Sequence, residues 1–189
     1  MEFIYEIENA LPPEICEEII NRYKKDNRKS ESKLDGNKID TGIRKSSGLS
    51  ISILDDWKDA DDILKEVYSK GISQYSEYIS RYTVPYLADS LFNNLSDEGY
   101  CIQEQKSGEY YNWHFDVIGN DRKPRIFSCI LYLNTLEEDQ GGCTEFWCGK
   151  KVRPKQGKML IFPSSWTFIH RGAEVKNGGI KYNITTWMN

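Results

Sequence analysis

The chain has 189 residues, and 39% of them are hydrophobic, which is enough apolar material for a folded core and argues against global disorder. Its formal net charge of -4 does not favour general binding of nucleic acid. We interpret residues 1–189 as a single domain, in which residues 1–98 provide mainly helical support and a mobile loop and residues 99–189 form a β core.

No apolar run approaches the roughly 18–20 residues that a membrane-spanning helix needs. The N-terminal stretch MEFIYEIENALPP lacks the basic start and long apolar run of a secretory signal. We therefore expect a cytoplasmic protein without membrane association, and its oligomeric state stays open. The cysteines form no CxxC pair, and we expect free, mostly buried thiols. They are Cys16, Cys101, Cys129, Cys143 and Cys148.

Helical spacing of apolar residues dominates the first half of the chain. Pro12 and Pro13 predict the start of a first helix. Residues 26–42 are polar and charged, which predicts a mobile loop. Residues 55–82 predict the clearest helix, although Gly71 inside it costs about 1 kcal/mol relative to alanine. Its apolar stripe consists of Trp57, Ala60, Ile63, Leu64, Val67, Tyr68, Ile72, Tyr75 and Ile79. A shorter helix is expected within VPYLADSLFNNL.

From Gly99 onward, short β-prone runs alternate with glycine- and proline-containing turns. The runs read YCIQEQ, YYNWHFDV, RIFSCILYLN, CTEFWC, KMLIFPS, WTFIHRGA and KYNITTWMN. Short strands at such even spacing are typical of an all-β sandwich or barrel. We therefore predict a mostly β protein with N-terminal helices, an α+β arrangement in which the helices brace the β core.

The two histidines of the chain suggest a metal site. His114 and Asp116 are two residues apart on a predicted strand, so their side chains can point to the same side. His170, on a later strand, is the remaining histidine that can supply a third ligand. Two histidines and one carboxylate form the facial triad that non-haem Fe(II) oxygenases use. The cationic Lys181 follows on the next predicted strand.

This ordered set resembles the Fe(II)/2-oxoglutarate-dependent dioxygenases, and within them the prolyl 4-hydroxylase-like branch with its small bacterial and phage members. The resemblance covers roughly residues 99–189, with weaker similarity at IYEIENALPPEICEEII. The segments that carry it are GEYYNWHFD, SCILYLN, QGGCTEF, GKMLIFPSSWTFIHRG and GGIKYNITTW. It implies a double-stranded β-helix, or jelly roll, as the core, with Fe(II), the cosubstrate 2-oxoglutarate and O2, and with ascorbate as a further candidate cofactor.

The resemblance also implies roles for individual residues. His114, Asp116 and His170 would be the catalytic iron ligands, and Lys181 would bind the distal carboxylate of 2-oxoglutarate. The further cosubstrate-binding candidates are Tyr132, Thr185 and Tyr111, for which ordinary strand packing is the alternative. The step from His170 to Lys181 is slightly longer than is usual in the family. A slip of the last strand by one residue would turn Lys181 away from the site.

The reaction implied is hydroxylation of a C–H bond, with conversion of 2-oxoglutarate to succinate and CO2. The resemblance favours a peptidyl proline as the target, within a protein or peptide substrate. Arg44, Trp113 and Trp166 are candidates for contact with the substrate, although strand alternation turns Trp113 away from His114. Residues 26–42 are either a substrate lid or a plain surface connection.

Other functions stay open at this point. Hydroxylation of a free amino acid or another small molecule needs the same iron site. A nucleic-acid dealkylase is disfavoured by the acidic charge and by Trp187, which stands where such enzymes carry a further arginine. A non-catalytic jelly-roll metal-binding module would be expected to lack a ligand or the cation, and none is missing. A zinc hydrolase would need a general base and would leave Lys181 without a role.

Overall fold

The structure is a computed structural model that describes residues 3–32, 39–117 and 124–189. Over these ranges the chain forms three α-helices and twelve β-strands. The helices are α1 (Pro13–Lys25), α2 (Lys58–Ile79) and α3 (Pro85–Phe92). The strands are β1 (Tyr5–Ile7), β2 (Ser30–Glu31), β3 (Arg44–Lys45), β4 (Ser47–Ser50), β5 (Cys101–Lys106), β6 (Tyr110–His114), β7 (Phe127–Tyr132), β8 (Thr144–Phe146), β9 (Lys151–Val152), β10 (Met159–Pro163), β11 (His170–Gly172) and β12 (Ile180–Met188).

The strands form two antiparallel sheets. In the described part of the chain, the large sheet has the order β1-β10-β7-β12-β5-β4-β2 and the small sheet has the order β3-β6-β11-β8-β9. From β5 onward, successive strands alternate between the two sheets, apart from the β8–β9 pair. This alternation is the jelly-roll connection, and the predicted mostly β fold with a double-stranded β-helix core and bracing helices is confirmed.

The helices pack on the outer face of the large sheet. A single 3-10 turn at Asp55–Trp57 precedes α2. Most of the predicted apolar stripe of α2 is buried, but Val67 and Ile72 are only partly buried and Ile63 is exposed. The Tyr68 hydroxyl donates a hydrogen bond to the carbonyl of Ile184 at 3.0 Å. Gly71 lies so close to Met159 that a Cβ atom would come within 2.4 Å of the sulfur. The unfavourable glycine in α2 therefore allows close contact between helix and sheet.

The N-terminal half also supplies four short strands that the sequence pattern did not predict. β1 pairs with β10, β3 pairs with β6, and β4 pairs with β5 on one side and β2 on the other. The prediction of a loop over residues 26–42 is therefore wrong for Ser30–Glu31, which form β2. Residues 33–38 of that predicted loop lie outside the described residues. Strands of two to four residues are too short to show an alternating pattern.

Two apolar clusters stabilise the fold. The larger cluster lies between the helices and the large sheet, and it includes Trp57, Tyr68 and Ile184. The smaller cluster fills one end of the jelly roll with Ile4, Tyr132, Phe146, Val152, Leu160, Phe162 and Phe168. The other end of the jelly roll is lined largely by polar side chains and remains open as a cavity.

The cysteines are all free, as predicted. Cys16 and Cys129 are buried, whereas Cys148 is exposed, so the expectation of mostly buried thiols holds only in part. Within the described ranges, none of the helices combines the length and the apolar character that crossing a lipid bilayer requires.

Candidate active site

A cavity of about 600 Å³ occupies the open end of the jelly roll, between the two sheets. Alternate residues of β12 face it, namely Lys181, Asn183, Thr185 and Trp187. The intervening residues of β12 pack toward the helices, as the twofold periodicity of a strand requires. Lys181 therefore points into the cavity, and β12 has not slipped by one residue.

His114, Asp116 and His170 converge on one point of the cavity wall. One potential ligand atom from each residue lies within 4.8 Å of the others. The Nε2 atom of His114 is 3.5 Å from Oδ1 of Asp116, and the Nε2 atom of His170 is 3.5 Å from Oδ2. Cross-strand pairing of β6 with β11 sets His170 directly opposite His114. The predicted metal-ligating residues are thus brought together.

Both imidazoles are oriented by backbone carbonyls. The Nδ1 atom of His114 is 2.7 Å from the carbonyl of Asn112, and that of His170 is 3.0 Å from the carbonyl of Phe168. When Nδ1 carries the proton and donates it to the carbonyl, Nε2 keeps its lone pair for a metal ion. Burial, and then the neighbouring His170, lower the pKa of His114 to about 3, so this imidazole is neutral at pH 7.

The local backbone differs from the expected continuous strand. β6 ends at His114, and Asp116 follows in an irregular segment whose amide donates to the carbonyl of Ser164 at 3.3 Å. His114 pairs with His170, and Tyr111 pairs with Gly172. Between these two pairs the chain advances three residues on β6 but only two on β11. This β-bulge places Tyr111 and His114 on the same side despite their odd spacing. Their rings stack with centroids 3.5 Å apart.

Asp116 is held by serines that the sequence reasoning missed. The Ser128 hydroxyl donates to Oδ2 of Asp116 at 2.6 Å, and Ser128 in turn lies 2.8 Å from the hydroxyl of Ser164. Burial by itself raises the pKa of Asp116, but His170, His114 and the Ser128 hydroxyl outweigh it, so the net pKa is lowered. The carboxylate is therefore ionised and fixed in orientation, as a metal ligand must be.

Lys181 is the least exposed of the described cationic residues that line the cavity. Its side chain is 3% exposed, and no ion pair to it occurs among the described residues. Burial lowers the pKa of Lys181 to about 8, because the ammonium group has lost its water without gaining a counter-charge. A buried ammonium group of this kind offers a strong site for the carboxylate of a ligand.

Two of the three other predicted cosubstrate-binding residues line the cavity, and one does not. Thr185 faces the cavity and accepts a hydrogen bond from the side chain of Gln103 at 2.7 Å. Tyr111 also lines the cavity. Tyr132 does not: its hydroxyl lies 2.7 Å from that of Thr144, and its ring is 5.6 Å from Nζ of Lys181. Tyr132 thus packs behind Lys181 in the apolar end of the jelly roll.

Of the three predicted substrate contacts, one lines the cavity and two lie outside it. Arg44 lines the cavity, and its guanidinium group lies 4.7 Å above the ring of Tyr111. Trp113 and Trp166 are exposed side chains outside the cavity wall. Trp113 lies on the opposite face of the small sheet, as the sequence predicted. Phe115, the residue between His114 and Asp116, borders the cavity and is half exposed.

Ser128 and Gln103 line the site because they pair with residues of β12 that face the cavity. Ser128 pairs with Trp187 across the β7–β12 ladder, and Gln103 pairs with Asn183 across the β5–β12 ladder. Directly paired residues share a face of the sheet. Strand register, which the sequence pattern did not supply, was the missing information.

The family comparison agrees with this geometry. Residues 100–189 match the model of the 2OG-Fe(II) oxygenase superfamily. These residues belong to that superfamily. The chain therefore carries a 2-oxoglutarate-dependent oxygenase domain, whose family uses Fe(II), 2-oxoglutarate and O2. The expected enzyme class is confirmed. No curated protein sequence matches the chain.

Solved prolyl hydroxylases share the fold of this oxygenase. The enzyme from Trichoplax adhaerens, in complex with a peptide fragment of the hypoxia inducible factor oxygen degradation domain, has a TM-score of 0.75 at 20% identity, covering 100% of this chain and 84% of that one. A prolyl-4-hydroxylase of Pseudomonas putida has a TM-score of 0.71 at 18% identity, covering 100% and 94%.

A viral collagen prolyl hydroxylase from Paramecium Bursaria Chlorella virus-1, in complex with 2OG, has a TM-score of 0.65 at 20% identity, covering 98% of this chain and 95% of that one. At these identities the likeness establishes a common fold. It agrees with the prolyl 4-hydroxylase-like architecture expected from the sequence.

Proposed function

We propose that this oxygenase hydroxylates a peptidyl proline, coupled to conversion of 2-oxoglutarate and O2 to succinate and CO2. One oxygen atom of O2 enters the substrate as a hydroxyl group and the other enters succinate. The observation that carries the proposal is the presence, in one cavity, of a two-histidine, one-carboxylate cluster and a buried lysine to which the described residues offer no counter-charge.

The cluster residues fit an Fe(II) ion by their chemistry. Two neutral imidazoles and one ionised carboxylate leave coordination positions for other ligands. His114, Asp116 and His170 would hold the ion, while Ser128 keeps the carboxylate of Asp116 in place. Fe(II), when bound, supplies the redox chemistry that couples the oxidative decarboxylation of 2-oxoglutarate to oxidation of the substrate.

Lys181 would hold the distal carboxylate of 2-oxoglutarate. An ammonium group in low-dielectric surroundings forms a strong charge-assisted hydrogen bond with a carboxylate. Thr185 is on the same side of β12 and would donate a second hydrogen bond to that carboxylate. Tyr132 would act by packing against the Lys181 side chain, since its own hydroxyl is engaged by Thr144. Tyr111 would shield the iron side of the cosubstrate.

A peptide is supported by the size and shape of the site. A cavity of about 600 Å³ exceeds what 2-oxoglutarate alone would occupy, and ligand sites of about 300–1,000 Å³ hold drug-sized molecules. Arg44 and Phe115 border the cavity and would contact the chain on either side of the proline. The similar Trichoplax adhaerens enzyme was solved with a peptide fragment. Trp166 stays a predicted substrate contact.

The decisive experiment incubates the protein with Fe(II), 2-oxoglutarate, ascorbate and proline-containing peptides, and measures both succinate and peptide mass. We expect a gain of one oxygen atom on proline, equimolar with succinate. Omission of ascorbate tests whether this proposed cofactor is needed. Free proline replaces the peptide in a parallel reaction, and preferential oxidation of free proline would favour the small-molecule alternative.

The control variant is His114→Ala, in which one proposed iron ligand is lost. We expect succinate production to fall to background, while circular dichroism shows the folded β structure. Coupled turnover at the wild-type level in His114→Ala would refute the iron assignment. A folded wild-type protein that binds Fe(II) and 2-oxoglutarate but never oxidises a substrate would instead support a non-catalytic module.

A further inference from the structure

Of the three candidate metal-ligating residues, Asp116 is the one that lies outside a strand. β6 ends at His114 and β11 begins at His170, so the β6–β11 ladder holds both histidines. Resting on the iron site of the proposed function, we propose that Arg125 is a positioning residue that fixes Asp116 and thereby raises the affinity of the site for its metal ion. Arg125 lies two residues before β7 and is not itself a metal ligand.

The backbone of Asp116 depends directly on Arg125. The Asp116 amide donates to the carbonyl of Ser164 at 3.3 Å, and the Asp116 carbonyl accepts from Nη1 of Arg125 at 3.3 Å. In a regular strand, the neighbouring strand would bond to these two groups. Here a guanidinium group provides one of the two bonds, so the position of the Asp116 backbone follows the position of Arg125.

The ring of Trp187 connects Arg125 to the carboxylate of Asp116. The guanidinium carbon of Arg125 is 3.6 Å from the centroid of the Trp187 ring, a stacking contact that limits rotation of the indole. Trp187 pairs with Ser128 across the β7–β12 ladder, so both side chains are on one face of the sheet. From that face the Ser128 hydroxyl donates to Oδ2 of Asp116 at 2.6 Å, and the indole N–H of Trp187 donates toward the same carboxylate.

Glu98 holds the guanidinium group in this place. The Nε atom of Arg125 is 3.0 Å from each carboxylate oxygen of Glu98, and its Nη2 atom is 2.7 Å from Oε2. The Glu98 amide also donates to the carbonyl of Trp187 at 3.1 Å. The side chains of Arg125 and Glu98 are only 10% and 18% exposed, so water screens this ion pair less than it screens a surface pair. Glu98, Arg125 and Trp187 thus form a closed set of contacts beside Asp116.

The balance of charge indicates that Arg125 orients a protein side chain rather than binding an anion. Arg125 and Lys181 both line the cavity. Glu98 balances the charge of Arg125, whereas the described residues offer Lys181 no ion pair. The Nε, Nη1 and Nη2 atoms of Arg125 are all engaged by Glu98 or by the carbonyl of Asp116. A guanidinium group held in this way is suited to keep the Asp116 carboxylate turned toward the metal.

The test measures metal binding by itself, in the metal-free full chain without 2-oxoglutarate or oxygen. Co(II) is the probe, because the same imidazole and carboxylate ligands bind it. Its visible absorption gives both the dissociation constant and the coordination geometry. The variant is Arg125→Lys, which keeps a positive charge beside Glu98. Lysine lacks the planar group that bonds to Asp116 and stacks on Trp187 at the same time.

The chain offers a matched control in Arg171→Lys. Arg171 is 2.7 Å from Glu145, and its guanidinium carbon is 4.7 Å from the centroid of the Trp113 ring. Among the described residues, its guanidinium group donates hydrogen bonds to Glu145 alone. Arg171→Lys therefore measures the general effect of replacing an arginine that is paired with glutamate and stacked on tryptophan.

We expect Arg125→Lys to raise the dissociation constant for Co(II) about tenfold to a hundredfold, which is typical for loss of a residue that orients a metal ligand. The absorption of the bound ion should also change, because the Asp116 carboxylate is free to turn. Glu98→Gln keeps the shape of the Arg125 partner and removes its charge, so it should weaken Co(II) binding by about threefold. Arg171→Lys should match the wild type in both quantities.

Two results would overturn the positioning role. Wild-type Co(II) affinity and absorption in Arg125→Lys would do so, even if urea denaturation shows lower stability or the peptide KM rises, since Arg125 would then be a structural residue or a substrate contact. An equal loss of affinity in Arg125→Lys and Arg171→Lys would do so as well. If Arg125→Lys does not fold by circular dichroism, unchanged Co(II) affinity in Glu98→Gln overturns the proposal instead.

The outcomes also separate this inference from the proposed reaction. Co(II) affinity that depends on Arg125, in a protein that oxidises no proline, would keep the positioning role and remove proline hydroxylation. Hydroxylation of proline together with Co(II) affinity that is independent of Arg125 would do the reverse. A wild-type protein that binds no Co(II) would remove the metal site, and the positioning role with it.

Discussion

Among the residues that the structure describes, two lysines are buried, but their surroundings differ. Lys158 is 9% exposed, and its Nζ atom lies 2.8 Å from Glu6 and 3.1 Å from Glu8. Lys181 is 3% exposed and faces a cavity in which the described residues provide it with no ion pair. Glu6 and Glu8 of the protein itself balance the charge of Lys158. The charge of Lys181 would be balanced by a bound anionic ligand.

The pKa values follow this difference. Burial lowers the pKa of Lys158, but Glu6 and Glu8 outweigh burial and the net pKa is raised. Burial lowers the pKa of Lys181 to about 8, with no carboxylate to oppose it. A buried charge that is left uncompensated costs stability, so its retention indicates a ligand that compensates it. The comparison teaches that counter-charge, rather than burial, distinguishes a structural lysine from a binding lysine.

The largest effect is expected from Lys181→Met, which keeps the volume and removes the charge. We expect the apparent KM for 2-oxoglutarate to rise about a hundredfold, because the ligand carboxylate would lose its buried partner. The thermal midpoint should rise slightly, since an uncompensated cation is gone. Initial rates at varied 2-oxoglutarate and a thermal melt measure the two quantities. An unchanged KM would remove Lys181 from the cosubstrate site.

The matched substitution, Lys158→Met, should lower the stability of the protein and leave the binding of 2-oxoglutarate unchanged. We expect a loss of about 1–2 kcal/mol of unfolding free energy, because Glu6 and Glu8 lose a shared partner but keep Lys150 and Lys155. The KM for 2-oxoglutarate should stay at the wild-type value. Urea denaturation and the same kinetic assay provide the measurements. A raised KM in Lys158→Met would mean that the two lysines are not distinct in function.

The affinity for 2-oxoglutarate should depend on pH through the protonation of Lys181. A carboxylate binds the protonated form of Lys181, so above its pKa of about 8 the affinity for 2-oxoglutarate should fall, by up to about tenfold per pH unit. Equilibrium titrations without oxygen between pH 7 and 9 would measure this. Affinity that stays constant over that range would show that the lysine remains protonated without its ligand.

The stability of the ligand-free protein should depend on pH with different signs for the two groups. The folded-state pKa of Lys181 lies below the ordinary 10.5, so the unfolded chain binds more protons between about pH 8 and 10.5 and stability rises with pH there. The folded-state pKa of Lys158 is raised, so its contribution is complete below 10.5 and is lost only above that. Unfolding free energies of the Lys181→Met and Lys158→Met variants at several pH values would assign each trend.

The smallest effect is expected from Lys181→Arg. Arginine keeps the positive charge, so the KM for 2-oxoglutarate should rise by only about threefold through altered geometry. The decline of affinity above pH 8 should disappear, because arginine does not titrate in this range. Equilibrium binding of 2-oxoglutarate at pH 7 and 9 tests both statements. Persistence of the decline in Lys181→Arg would assign the titration to another group.

The sequence was most informative where a pattern is long or a residue type is rare. The apolar stripe of α2 and the nine-residue β12 were predicted because several periods are visible in each. His114 and His170 could be proposed as partners because the chain contains no other histidine. Short strands such as β3 carry too few residues for such a pattern, and they were missed.

The sequence was least informative about the register in which strands pair and about which buried lysine has acidic partners. Ser128 reaches Asp116 only because β7 and β12 pair in one register, and nothing in the local sequence specifies that pairing. In the same way, no local pattern distinguishes Lys158 from Lys181, because Glu6 and Glu8 are distant in the chain. Contacts between distant segments decide these features, and they emerge only once the chain is folded.

The β-bulge in β6 has a consequence for how this chain tolerates insertions and deletions. With one more residue on β6 than on β11 between paired positions, Tyr111 and His114 share the inner side while Trp113 occupies the outer side. Removal of Asn112 would leave Tyr111 and His114 two residues apart, so regular alternation would still put both side chains on the inner side and Trp113 on the outer side. A one-residue deletion at the bulge should therefore preserve the two faces of β6, whereas the same deletion between Lys181 and Thr185 in the regular β12 would turn one of these side chains out of the cavity.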